Sequence, residues 1–291
     1  YMDRKLTALL PILSQPYFGP RDLLSMDTLR AAPFLRPDRS LMGELQATFE
    51  HEWSHLIFGF QAKYLGMSPF ETPSIFSILN FIEQKYGVWH PEGGLNAVPK
   101  ALARLATSRG ATIETGTPVE RVHVSAGRIT DVEAGGKQIT ADHFVVNADL
   151  TDFLQHHVAP SDRKKYTDKK LASMKYSCST YMLYLGIEGE VDLPHHNFVF
   201  SRDYKRFLEK LSTTGALPTD PSFYLCNASR TDPTLAPKGK SSIYLLVPVP
   251  NLKIGTIDWA RERDGFRRML LEAVRERFGL TLEGRILTEH V

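Results

Sequence analysis

The hydrophobic period of this chain changes at Gly110, and that change limits the folds open to it. Before that glycine, apolar residues recur at helical spacing; after it they sit in short alternating runs bounded by glycine turns. Helical patterns cover 3–31, 40–64, "SIFSILNFIEQKY" and "LNAVPKALARLATSR", and Pro11, Pro16 and Pro20 should interrupt the first. The strand-like runs are "ATIETGT", "PVERVHV", "GRITDVEA" and "HFVVNAD", then "CSTYMLYLGIE", "HNFVFS", "SFYLCNAS" and "SSIYLLVPVP". A polar, Lys-rich helix is expected over 161–171 and an amphipathic one over 257–278. The sum predicts a mixed fold, α/β or α+β, with a helical N-terminal third and two strand-rich regions.

At 291 residues the chain can build one large domain or two ordinary ones. Its formal charge of +2 is too small to imply a nucleic-acid partner. Cys178 and Cys226 lie in apolar strand-like runs, which favours a reduced cytoplasmic protein. No apolar run approaches the ~20 residues of a membrane span. Leu6, Leu9, Leu10 and Leu13, flanked by Arg4, Lys5, Arg21 and Arg30, make a basic amphipathic stretch of the kind that lies on a membrane surface. A solvated surface helix is the competing reading. The two ends lack a plausible start region or closing element, so the chain is expected to be an internal piece of something longer.

His51-Glu52-Trp53-Ser54-His55 spells HExxH, the helical zinc motif in which the Glu acts as general base. The extended form of that motif needs Gly at 58 and His at 61, where this chain has Phe58 and Gln61. Glu71 and Glu83 are available as a third ligand, but neither belongs to a second motif. The doublets His156-His157 and His195-His196 are adjacent residues, whose side chains should diverge. A zinc hydrolase therefore stays a minor alternative, and no metal is expected.

The loop "GVWHPEGG" delivers Gly93 and Gly94 to a helix start, where glycine permits close backbone approach by a ligand. An ordinary tight turn would account for the doublet alone. The stretches "YLGMSPFETPSIFSIL", "GVWHPEGGLNAVPKAL", "GTPVERV" and "VVNADL", in this order, resemble the flavin-containing amine oxidase superfamily, and within it the bacterial-type phytoene (carotenoid) desaturases. "HHNFVFSRDYKRFLEKL", "PSFYLCNASRTDPTLAPKGKSSIYLLVPVPNL" and "DWARERDGFR" are similar to that family's substrate-domain strands. The resemblance is colinear from about residue 40. Two departures are plain: the Gly-rich dinucleotide fingerprint is missing, as GxGxxG occurs nowhere, and so is the C-terminal flavin segment.

The resemblance implies a Rossmann-like flavoprotein fold, incomplete here, with FAD as hydride acceptor and a hydrophobic carotenoid precursor as substrate. It implies a helical substrate- or membrane-facing part over 1–84 and part of the FAD-binding domain over 85–150. A substrate-binding sheet domain over 151–275 and a return to the FAD-binding domain over 276–291 would follow. Val119, Asn147 and Ala148 would meet the cofactor, with Gly93 and Gly94 beside it. Trp89 and Pro91 would border the substrate, and His90 or Glu83 would take a proton. A related flavin enzyme acting on another isoprenoid, of the carotenoid oxygenase or saturase type, is the runner-up. The expected setting is cytoplasmic and peripheral on a membrane surface, with room for a homo-oligomer.

Overall fold

The computed structural model describes residues 1–255 and 257–291. Its first third is helical, as the apolar spacing predicts: α1 (Met2–Leu13), α2 (Met26–Leu35), α3 (Leu41–Thr48), α4 (Glu52–Gly59) and α5 (Ile78–Tyr86). Pro11 does not break α1, because it lies in the last turn, where only one intrahelical bond is lost. Only part of the expected leucine stripe faces out. Leu6 and Leu9 are buried, whereas Leu10 and Leu13 are exposed. Lys5 is buried too, and its Nζ donates to the Ser74 carbonyl (3.1 Å) and the Ser77 hydroxyl (2.9 Å). A buried ammonium needs such partners, so Lys5 is a strut of the helical layer and not a surface charge.

Residues 96–176 form a compact unit of their own. It contains α6 (Ala97–Ser108), an antiparallel meander of β1 (Val119–Ser125), β2 (Arg128–Ala134) and β3 (Lys137–Thr140), then α7 (Leu150–His157) and α8 (Asp168–Ala172). Ala126 and Gly127, both at positive φ, close the tight β1–β2 turn. The runs at 111–117 and 143–149 are not strands, contrary to expectation. A strand exists only with a ladder partner, and among the described residues these segments have none. Val145 stands 93% exposed in consequence. The helix expected over 161–171 is reduced to a 3-10 turn and α8, which starts at an N-cap supplied by Thr167.

Residues 177–291 join residues 1–95 in the other unit. They supply β4 (Ser179–Glu188), β5 (His196–Val199), α9 (Tyr204–Thr213), β6 (Phe223–Asn227), β7 (Lys240–Val249), α10 (Trp259–Phe278) and β8 (Ile286–His290). The strands make an all-antiparallel sheet in the order β5-β6-β7-β4-β8. Period-two patterning sorts its two faces. One carries Leu183, Leu185, Ile187, Leu225, Ile243, Leu245 and Val247, packed on Phe266, Leu270, Leu271 and Val274 of α10. Helix α9 buries Tyr204, Phe207, Leu208 and Leu211 at helical spacing, where the sequence resemblance suggested strand.

Candidate active site

The other face of this sheet is built by the same alternation, and just beyond β4 and β5 it continues into Cys178 and Phe200, which pack on α9. Cross-strand register sets its side chains in two rows. Met182, Leu246, Tyr224 and Phe198 follow one another across β4, β7, β6 and β5; Tyr184, Tyr244, Cys226 and His196 form the next row. With strands about 4.8 Å apart, each row runs roughly 14 Å. The rings are in contact: Phe198 lies 4.9 Å from Tyr224 and 4.5 Å from Phe60, and Tyr244 lies 5.7 Å from both Tyr224 and Tyr184. Burial pushes the Tyr244 phenol up to about 12 and also raises that of Tyr224, so both stay protonated near neutral pH. The wall is uncharged, aromatic and half open. A separate apolar cavity of about 530 Å³ opens among α1, α3, α4 and α5, with Leu45, Phe49, Phe58 and Phe81 in its lining.

At one edge of this face sits the loop that sequence reasoning singled out. Gly93 and Gly94 both hold φ near +81°, a conformation that favours glycine. The Gly93 amide donates to Asp232 Oδ2 (2.8 Å), and His90 Nε2 lies 3.3 Å from the same oxygen. The other Asp232 oxygen accepts from the Thr234 amide (3.1 Å) and hydroxyl (2.5 Å). These bonds, led by the Thr234 hydroxyl, hold the Asp232 carboxyl down at about 2. An ionised Asp232 accepts from His90 Nε2–H, which leaves the lone pair on Nδ1. A Cβ on Gly94 would meet Leu235 at 3.1 Å, whereas one on Gly93 would meet nothing. The open side of the doublet is therefore at Gly93.

Behind His90 stands a cluster that sequence reasoning dismissed. The His90 ring is edge-on to His195 at 5.3 Å, and His195 stacks on His196 at 4.2 Å. The expectation that adjacent histidines diverge fails because His195 precedes β5: strand alternation starts only at His196. Burial, then the neighbouring imidazoles, push both His195 and His196 below the usual imidazole range. Glu83, on α5, accepts a short hydrogen bond from the buried Gln61 amide.

Of the remaining candidates, Trp89 is 85% exposed, with its indole N–H donating to the Tyr86 carbonyl (2.9 Å), and Pro91 is half-buried beside it. Val119, Asn147 and Ala148 belong to the 96–176 unit and are all exposed. Val119 opens β1, which among the described residues is laddered to β2 alone, and the next carbonyl along, that of Glu120, lies 3.4 Å from His157 Nδ1 on α7. No Gly-rich phosphate cradle occurs in the sequence. The HExxH pair is not assembled. His51 lies outside α4 as its N-cap, with Nδ1 accepting from the Trp53 amide (3.2 Å), while His55 Nε2–H donates to the Phe49 carbonyl (2.8 Å). Asp232, Tyr224 and Phe198 were missed at the sequence level. The one available signal was the Asp-Pro-Thr turn that begins at Asp232.

A family model described as flavin containing amine oxidoreductase matches residues 21–279. The chain is 38% identical over 96% of its length to a 4,4'-diapophytoene desaturase (4,4'-diapolycopene-forming) of a Methylomonas species, covering 54% of that protein. It is 37% identical over 97% of its length to a zeta-carotene-forming phytoene desaturase of Myxococcus xanthus, again covering 54%. A lycopene-forming phytoene desaturase of Pseudescherichia vulneris is 31% identical over 96% of the chain, which covers 56% of that relative. The chain thus spans about half the length of these curated relatives. In fold it is similar to an oxidoreductase from Methanosarcina mazei, with TM-score 0.58, 17% identity, and coverage of 92% of this chain and 61% of that one.

Proposed function

The chain belongs to the flavin containing amine oxidoreductase family, and from that premise we propose that it is the substrate-binding middle of an FAD-dependent desaturase acting on acyclic carotenoid precursors. The observation that carries this reading is the uncharged aromatic face formed by Met182, Leu246, Tyr224 and Phe198 with Tyr184 and Tyr244. A long hydrocarbon offers no hydrogen-bonding group. It can be held only by apolar area, at about 25 cal/mol per Å² removed from water, and by an aromatic surface that fixes its plane.

No side chain accepts hydride, and FAD, when bound, supplies that capacity. Val119, at the exposed start of β1, and the exposed Asn147 and Ala148 would hold the adenine side. Within the other unit, Gly93 and Gly94 would let the backbone come close to a ligand. His90 serves as the base: with Nε2 committed to Asp232, its Nδ1 lone pair can take the proton left on the neighbouring carbon.

The same reading includes peripheral attachment to a membrane, since the substrate dissolves in lipid. Among the described residues no helix is long and apolar enough to cross one. Leu10, Leu13, Phe18, Leu23, Leu24 and Leu29 are exposed on or between α1 and α2, and Arg4, Arg21 and Arg30 flank them. Expression of the full-length gene in a host that accumulates a colourless C30 or C40 precursor tests the proposal. Coloured desaturated polyenes support the reading. Conversion of another isoprenoid with the precursor untouched would favour the oxygenase or saturase alternative.

A further inference from the structure

We propose that His195, His196 and Cys226 form a binding site for one thiophilic divalent cation, zinc being the representative. The proposal stands on the sheet alone and rests on no reading of the reaction. His196 and Cys226 are direct partners in the antiparallel β5–β6 ladder, so their side chains leave the sheet on one face. His195 is fixed one residue outside β5, because its carbonyl accepts from the Asn227 amide (2.8 Å). Its approach is pinned as well: the buried Asn227 side chain donates to the Val191 (2.8 Å) and Leu193 (3.0 Å) carbonyls, and Asn197 donates to Pro194 (2.7 Å). The triplet is thus held by backbone geometry and not by chance rotamers.

One nitrogen of each imidazole and the Cys226 sulfur lie within 4.8 Å of one another. With Zn–N near 2.0–2.1 Å and Zn–S near 2.3 Å, tetrahedral ligands stand roughly 3.5 Å apart. Closure therefore needs movements of about an ångström, within the reach of small χ adjustments.

Each ring already has an outer partner. His195 Nδ1 is 2.8 Å from the Thr231 hydroxyl and His196 Nδ1 is 2.6 Å from the Tyr224 hydroxyl. Such bonds fix the orientation and tautomer of metal-binding histidines, leaving Nε2 for the cation. The thiol is buried at the back and His196 exposed at the mouth, so a cation enters past the imidazoles and leaves its thiol proton to solvent. Three protein ligands, two borderline nitrogens and one soft sulfur, suit zinc or cobalt over magnesium or calcium.

The test uses the full-length protein, reduced and freed of metal, titrated with Co²⁺ and then with Zn²⁺. One equivalent of Co²⁺ should give a thiolate-to-cobalt charge-transfer absorption that Zn²⁺ removes. Cys226→Ser should abolish the band, while Cys178→Ser and the double variant His51→Ala/His55→Ala keep it. Thr231→Val should weaken affinity about 10-fold or more through loss of the ring's outer partner. Circular dichroism of each metal-free variant establishes that it is folded before titration. The proposal is overturned if folded wild-type protein shows no thiolate band. It is equally overturned if the band survives Cys226→Ser or disappears with Cys178→Ser.

Discussion

Replacing Lys63 with methionine should make the protein more stable and remove a pH dependence. Lys63 lies on the 3-10 turn Phe60–Leu65, and its buried Nζ has no hydrogen-bond partner among the described residues. It sits 4.9 Å from the Phe207 ring centroid and 5.6 Å from that of Tyr204, both on α9. Burial pushes its ammonium down from 10.5 to about 8. The folded value is below the unfolded one, so between them the unfolded chain binds more protons and stability rises with pH. At 1.36 kcal/mol per pH unit of displacement, the charged Lys63 costs the fold about 3 kcal/mol below pH 8. From pH 8 to 9 the wild type should regain about 1 kcal/mol. Above that, the neighbouring Cys178 thiol, raised from 9.0 by burial, acts in the opposite sense. The informative window is therefore pH 8 to 9. Urea unfolding followed by tryptophan fluorescence at pH 7, 8 and 9 measures the difference, and other titrating groups cancel between the two proteins. Lys63→Met should be about 2–3 kcal/mol more stable at pH 7, with the gap narrowing by pH 9. Parallel curves, or a less stable variant at pH 7, would refute the burial argument.

Asn227→Ala removes both amide bonds to the Val191 and Leu193 carbonyls, the first buried and the second part-buried; leaving these acceptors unpaired should cost about 1–3 kcal/mol in chemical denaturation. Gly94→Ala should lower the melting temperature more than Gly93→Ala. Both suffer the positive-φ penalty of about 1–2 kcal/mol, but only at Gly94 does the new methyl press on Leu235. Replacing Arg4, Arg21 and Arg30 with Gln should weaken co-sedimentation of the full-length protein with anionic vesicles, at about 1 kcal/mol per charge. Lys5→Gln should instead act on stability, since that ammonium is internal.

The helices of the first third and the four long strand runs were legible because single-face burial imposes a clear period. The segments at 111–117 and 143–149 carry the same alternation yet form no strand, since alternation records a burial preference and not the presence of a ladder partner. The resemblance assigns "YKRFLEKL" to a strand region, but Tyr204, Phe207, Leu208 and Leu211 have helical spacing and the segment folds as α9. His51 and His55 match a motif by letters alone; capping at His51 takes it off the helical face. Asp232 was illegible for the opposite reason. It joins His90 across 142 residues of sequence, a contact that no local pattern encodes.

If the aromatic face of the β5-β6-β7-β4-β8 sheet holds a polyene against FAD, flavin and polyene must change together. Anaerobic mixing of the full-length, FAD-loaded protein with a vesicle-borne acyclic carotenoid precursor tests it most directly, reading the flavin and polyene absorption together. The flavin should bleach in step with the appearance of a longer conjugated chromophore. In a folded Phe198→Asp/Tyr244→Asp double variant, bleaching should slow at least 10-fold. Flavin that stays oxidised with the wild type, or bleaches as fast in the double variant, would contradict the account.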